Sequence, residues 1–148
     1  MATPSNSVSQ LGQTTNLGSQ VFLLPTTTTN AAPYVLTLAQ SGCILKIPIM
    51  PQAATITLPL VGTAAGFTCK LQVSGIPAFI VRADGGAGNI NAMQCNDATW
   101  TSDNARQYHQ FTATAVIGDT IEISCDGTRY SSRGFSQDAA GIASANAA

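Results

Sequence analysis

The sequence predicts an all-β protein, an antiparallel β-sandwich built as a single jelly roll of about eight strands behind an extended N-terminal arm. Three observations carry this reading. Apolar and polar residues alternate in segment after segment, the period of strands with one face in a core. Glycines fall between those segments, where turns need them. No segment shows an amphipathic helical pattern, in which apolar residues recur at the three- and four-residue spacing of one helix face.

The elements follow in chain order. Residues 1–45 contain no charged side chain. Residues 1–19 read as an arm, residues 20–134 as the sandwich and residues 135–148 as a small-residue C-terminal tail. The apolar island "VFLL" (21–24) reads as a strand that docks on its own domain or on a neighbour. From Tyr34 onward the period is two. In "YVLTLA", Tyr34, Leu36 and Leu38 share a face. In "CILKIPI", Cys43, Leu45, Ile47 and Ile49 do so, with Lys46 opposite. In "TITLPL", Ile56, Leu58 and Leu60 alternate with polar residues or proline. In "FTCKLQVS", Phe67, Cys69, Leu71 and Val73 alternate with Thr68, Lys70, Gln72 and Ser74. In "AFIVRA", Phe79 and Val81 oppose Ile80 and Arg82. In "QFTATAVI", Phe111, Ala113, Ala115 and Ile117 oppose Thr112 and Thr114. In "TIEISC", Ile121, Ile123 and Cys125 oppose Thr120, Glu122 and Ser124. Pro48 and Pro59 belong at edges, bulges or strand ends, because proline donates no ladder hydrogen bond. The polar stretch at residues 84–107 reads as a long connection with a short strand near residues 90–93. An immunoglobulin-like sandwich is the second choice; the single tryptophan, Trp100, lies in the polar stretch rather than between two cysteines.

The two stretches "CILKIPIMP" and "CKLQVSGIP" match at a period of 26 residues, from Cys43 to Cys69. One hairpin per period accounts for the match without a duplication.

At 148 residues the chain fits one domain. Only 9% of residues are charged, against about 25% in an average soluble domain. A surface of Thr, Ser, Asn, Gln, Ala and Gly costs little to desolvate. It suits a protein packed against neighbours more than a freely diffusing enzyme. Lys46, Lys70, Arg82, Arg106, Arg129 and Arg133 are scattered and the net charge is −1. That excludes the basic patch from which nucleic-acid binding draws its affinity. Four cysteines without a C-x-x-C pair argue against zinc. Cys43, Cys69 and Cys125 sit in phase with apolar neighbours, so free buried thiols are expected over two disulfides. No apolar run reaches membrane-spanning length. No secretion signal is visible at the start, so synthesis and assembly in a reducing cytoplasm are expected.

The candidates for chemistry concentrate in "IGDTIEISCDGTRY" (117–130), which holds Asp119, Glu122 and Asp126. Gly118-Asp119 and Asp126-Gly127 read as hairpin turns, which need positive φ. Both aspartates then serve nearby backbone amides. Seven residues of strand separate them by roughly 23 Å, too far to share a metal. His109, the one histidine, shares a face with Phe111 and reads as structural; its catalytic alternative pairs it with Asp103 or Asp97 as a general base. "GGAGN" (85–89) lacks the lysine and helix of a phosphate loop and reads as a glycine turn. No serine lies in a G-x-S-x-G context. Trp100 and Tyr108 are candidates to stack on a sugar or to anchor an interface. No catalytic, cofactor-binding or metal residue is assigned, and no cofactor is expected.

The stretches "ITLPLVGTAAGFTCKLQV" (56–73) and "AVIGDTIEISCDGTRYSSRGFS" (115–136) resemble a layout that recurs in small β-rich virion proteins. Its marks are Leu58-Pro59, Ala65-Gly66-Phe67, Gly118-Asp119 with Ile121, Asp126-Gly127-Thr128 and Gly134. Arg129-Tyr130 stands where phage-fibre relatives often place a tryptophan. The chain is most similar to single jelly-roll penton (vertex) capsid proteins of large icosahedral double-stranded DNA viruses. The resemblance implies a structural virion protein without catalytic residues. Such a protein is expected to self-associate in a closed ring, a pentamer being favoured, and to contact neighbouring major or minor capsid proteins. It would touch no nucleic acid and span no membrane. The alternative is a carbohydrate-binding phage-fibre or tail-tip module; a small hydrolase is a distant third.

Overall fold

The computed structural model describes residues 19–146. Among them twelve strands form two sheets. They are β1 (Val21–Leu23), β2 (Tyr34–Val35), β3 (Cys43–Ile47), β4 (Ala54–Thr57), β5 (Thr68–Val73), β6 (Val81–Asp84), β7 (Ile90–Asn96), β8 (Thr99–Arg106), β9 (Tyr108–Phe111), β10 (Thr120–Cys125), β11 (Tyr130–Ser136) and β12 (Ile142–Ala145). One sheet has the order β1-β3-β5-β10-β11-β7-β8, the other β12-β9-β6-β4-β2.

The first six strands alternate between the sheets. β1, β3 and β5 run parallel in the larger sheet, while β2, β4 and β6 run parallel in the smaller. The chain therefore winds three times in one sense before the antiparallel strands close the fold. Cys43 pairs with Cys69, Leu45 with Leu71 and Ile47 with Val73. The 26-residue match is thus one turn of this winding, not one hairpin. A parallel neighbour needs a crossover of a dozen residues or more, and the segment that holds β4 supplies it. The expected all-antiparallel ladder is corrected: five of the ten strand pairings are parallel. Side-chain alternation is the same in both kinds of ladder, so it reports burial and not direction. What stands is an all-β fold of two mixed sheets around one core; these ladders do not establish jelly-roll connectivity.

Both sheets feed that core. Leu45, Ile47, Leu71, Ile121 and Tyr130 come from the larger sheet, and Ala54, Ile56, Val81, Phe111 and Ile142 from the smaller. The Tyr130 hydroxyl donates to the Pro59 carbonyl just past β4, tying the two sheets at one end. Pro48 directly follows β3 and Pro59 lies two residues past the end of β4, so neither has to donate to a ladder.

Four further expectations are corrected. The polar stretch at 84–107 holds two strands, β7 and β8, joined at Asp97 and Ala98 with φ of 43° and 63°. Such a two-residue turn fits the twist of a hairpin. β8 is an edge strand with most residues exposed, so it carries no alternation to detect. "QFTATAVI" is strand only to Phe111; residues 112–118 turn away, and Ile117 is exposed. β9 and β10 lie in different sheets, so Gly118-Asp119 links sheets and does not close a hairpin. Residues 142–145, expected as tail, form β12 against β9. The expected arm lies outside the described residues except for Ser19.

Small residues make β12 possible. Ile142 is buried above Gly134, where an added Cβ would stand 2.8 Å from Ile142 Cγ2 and 3.0 Å from His109 Nε2. The Asn96 amide brackets the same residue, donating to the Ile142 carbonyl at 2.8 Å and accepting its N–H at 3.3 Å. Gly134→Ala should therefore lower folding stability by about 1–3 kcal/mol through overpacking. Urea denaturation checks this; an unchanged midpoint would mean that β12 does not pack there.

Candidate functional site

The stretch at 117–130 separates into three unlike carboxylates. Asp119 is buried. Its Oδ2 accepts from the Val116 N–H at 2.9 Å and the Ser136 hydroxyl at 2.7 Å, and its Oδ1 accepts from the Gln137 N–H at 3.1 Å. It therefore serves its own turn, as expected, and also clamps the end of β11. Asp126 accepts from the Thr128 N–H and hydroxyl, both at 2.7 Å, and from the Arg129 N–H at 2.8 Å. These donors, the Arg129 amide foremost, hold its carboxyl down at about 2. Gly118 and Gly127 have φ of 100° and 93°, the left-handed backbone their turns require. Glu122 projects from β10 opposite Lys70, 3.2 Å from its Nζ. Among the described residues no group of three or more His, Cys, Asp or Glu side chains stands close enough to hold a metal.

His109 shares its inward face with Phe111 and is fully buried. Its Nδ1 shares a 2.5 Å hydrogen bond with Ser132 Oγ on β11, so a polar link crosses the core between the sheets. Asp97 sits in the β7–β8 turn. Asp103 is bonded to Ser144 and to Arg106 Nη2, the latter at 2.9 Å, and these partners lower its carboxyl below the usual range. The pair Ser132–His109 has the composition of a nucleophile and its base, yet both lie inside the core, where no substrate reaches.

The aromatic candidates are not brought together. Tyr108 is buried in the smaller sheet beneath Arg82, whose guanidinium carbon is 4.3 Å from the ring centre. Trp100 stands 54% exposed on β8 and meets Phe135 edge to face, 5.6 Å between centroids. Register explains the contact: Trp100 and Phe135 both pair with Cys95, from opposite sides of β7. "GGAGN" is a glycine turn, with the Gly86 N–H donating to Asp84 Oδ1 at 2.8 Å and the Asn89 amide to the Gly85 carbonyl at 3.0 Å. The four cysteines are free thiols. Cys43 and Cys69 are neighbours in the core, and burial pushes both thiols up, away from the reactive thiolate.

What remains is the outer face of the larger sheet. A trough of about 640 Å³ runs beside β3, β5, β10 and β11, lined by Ser19, Ile44, Thr68, Lys70, Glu122, Ser131 and Arg133 among others. One row across it reads Ile44, Lys70, Glu122, Arg133, a cation on each side of one carboxylate. Hydroxyls and paired charges equip this face to hold a polar ligand or another chain. The trough is flanked by two apolar patches that periodicity alone does not join. At one edge Val21 and Leu23 of β1 are 60% and 64% exposed, and at the other stand Met93, Trp100 and Phe135. Pairing order, not alternation, assembles the second patch, which is why the sequence shows only Trp100.

The buried histidine generates a pH dependence. Desolvation lowers its pKa from 6.5 to about 4, against a smaller opposing pull from Asp103. The unfolded chain therefore takes up the proton first. The neutral ring's contribution is complete above about pH 6.5 and is lost as pH falls to about 4. The shift corresponds to roughly 3 kcal/mol. His109→Gln should remove that part of the acid destabilisation between pH 7 and pH 4 while the wild type retains it. Denaturant titrations at both pH values decide; equal losses in the two proteins would place the histidine in solvent.

No family model, curated protein or solved structure matches the chain.

Proposed function

We propose that the chain is a structural virion subunit, of the capsid penton or minor capsid kind, that assembles through protein–protein contacts into a closed ring. One observation carries the reading: the larger sheet ends in two different apolar patches, Val21 and Leu23 at one edge and Met93, Trp100 and Phe135 at the other. Unlike patches at opposite edges of one subunit suit head-to-tail contact, and such contact closes into a ring when the rotation allows. A pentamer is the favoured ring. The low charge supports the same reading, since edges built this way lose little hydration on contact. The residue-level resemblance to penton proteins supports the virion assignment, with production in the host cytoplasm and neighbouring capsid proteins as partners. The scattered basic residues argue against contact with the genome.

A second reading, a glycan-binding fibre or tail-tip module, draws on Trp100 and Phe135 beside the hydroxyl-lined trough. Native mass spectrometry with a glycan array separates the two. The ring reading expects a discrete multiple of the protomer, reduced to smaller species by Leu23→Asp or Trp100→Ala. A protein that stays monomeric and loses a glycan signal on Trp100→Ala would replace it with the second reading.

A further inference from the structure

Five large apolar side chains lie exposed at one end of the sandwich. Ile49, Ile76, Phe79, Ile80 and Ile117 are each between 42% and 66% accessible. They belong to three loops, residues 48–53, 74–80 and 112–119, that leave β3, β5 and β9. The winding gathers these loops. β3 and β5 are parallel and in register, so both chains exit at the same end. β9 runs antiparallel to β6 with Phe111 opposite Val81, so its exit joins them there. Backbone bonds fix the cluster. Ser74 and Gly75 donate to the Ile47 carbonyl at 2.8 and 3.1 Å, Gly118 donates to Val73 at 3.0 Å, and Ala54 donates to Ile80 at 3.1 Å. Gly75 approaches so closely that a Cβ there would stand 2.7 Å from Ile49 Cγ1. The patch is held in place rather than carried on loose tips.

The one charged residue in the three loops, Asp119, is buried and hydrogen-bonded, so their exposed part carries no charge. A partner that brought an ion to this surface would lose its hydration without a counter-charge. A bilayer interface calls for Trp, Tyr, Lys or Arg at the boundary, and these loops contain none of them. Five half-exposed side chains of this size offer roughly 500 Å² of apolar area, at the upper range of what a monomer leaves bare. With the prolines and alanines between them, the loops approach the roughly 600 Å² per partner at the low end of specific interfaces. The surface that matches an uncharged aliphatic patch of this extent is the patch itself, met across a two-fold axis.

We propose that this loop end docks on the same loop end of a second copy, pairing two subunits end to end. The contact extends the assembly reading to a second surface, separate from the sheet edges that would close a ring. Ile76→Asp and Ile117→Asp place a charge in the centre of the contact. Both side chains are solvated in the single subunit, so the fold should survive, and thermal melting checks that it does. Native mass spectrometry of the full chain should show the wild type at twice the mass of either variant. If the wild type forms only pairs that Ile117→Asp splits, the ring reading fails and this contact stands. Equal masses for wild type and both variants would overturn the contact. So would flotation of the wild type with phosphatidylcholine vesicles that is lost in Ile117→Asp, because the patch would then be a lipid-facing one.

Discussion

Leu45 stacked beside Leu71, with Cys43 beside Cys69 and Ile47 beside Val73, sets the pitch of the winding on which the other strands are hung. All six side chains are buried. Burial of a side chain of the Leu or Val class contributes about 1.5–3 kcal/mol, and the pairs are in register, so a slip of one residue would turn every one of them outward. A parallel ladder also needs a long crossover between its strands, and here each crossover passes through the smaller sheet before it returns. With that path go β4 and β6 in the smaller sheet, the common exit of the loops after β3 and β5, and the place of β10 as the strand that ends the parallel run.

The surface inherits its organisation from this ladder. Because the strands run in parallel, loops of similar composition collect at one end instead of being shared between two. The aliphatic residues just past each strand thereby become one patch. The outer face of the larger sheet alternates in phase with the buried face, which sets Lys70, Glu122 and Arg133 in one row. The sheet opens at β1 on one side and β8 on the other, and the two edges differ in composition. Unlike edges are what the proposed head-to-tail ring would require, since identical patches pair across a two-fold axis. Low charge would keep the ionic cost of covering such surfaces small.

Much of the core was legible in the sequence, because burial has a period. Cys43, Leu45, Ile47, Phe67, Cys69, Leu71, Val73, Ile121, Ile123 and Cys125 face inward as their alternation requires. Strand direction was not legible in alternation, although the 26-residue match held it. A match between two strands in one register is what parallel stacking produces. β8 was invisible because an edge strand wet on both faces has no pattern, and β12 because Ile142 is its one buried residue. His109 and Phe111 share a face as read, but Ser132 lies on the opposite sheet, and no local signal connects them. Asp119 reads as a turn residue from its glycine neighbour; its bonds to Ser136 and Gln137 depend on where β11 ends. Alternation also overreached at Ile49, Leu60 and Ile117, which continue a pattern past the end of its strand and emerge in solvent.

The winding rests on β3 and β5 lying parallel. Two backbone hydrogen bonds at opposite ends of the pair report it: Gly42 N–H to the Thr68 carbonyl at 2.7 Å and Ser74 N–H to the Ile47 carbonyl at 2.8 Å. Scalar couplings across hydrogen bonds, measured by NMR on uniformly labelled protein, detect each bond directly. The account predicts both couplings, Gly42 to Thr68 and Ser74 to Ile47. A spectrum that instead linked residues near Cys43 with residues near Val73 would show an antiparallel hairpin and contradict the winding.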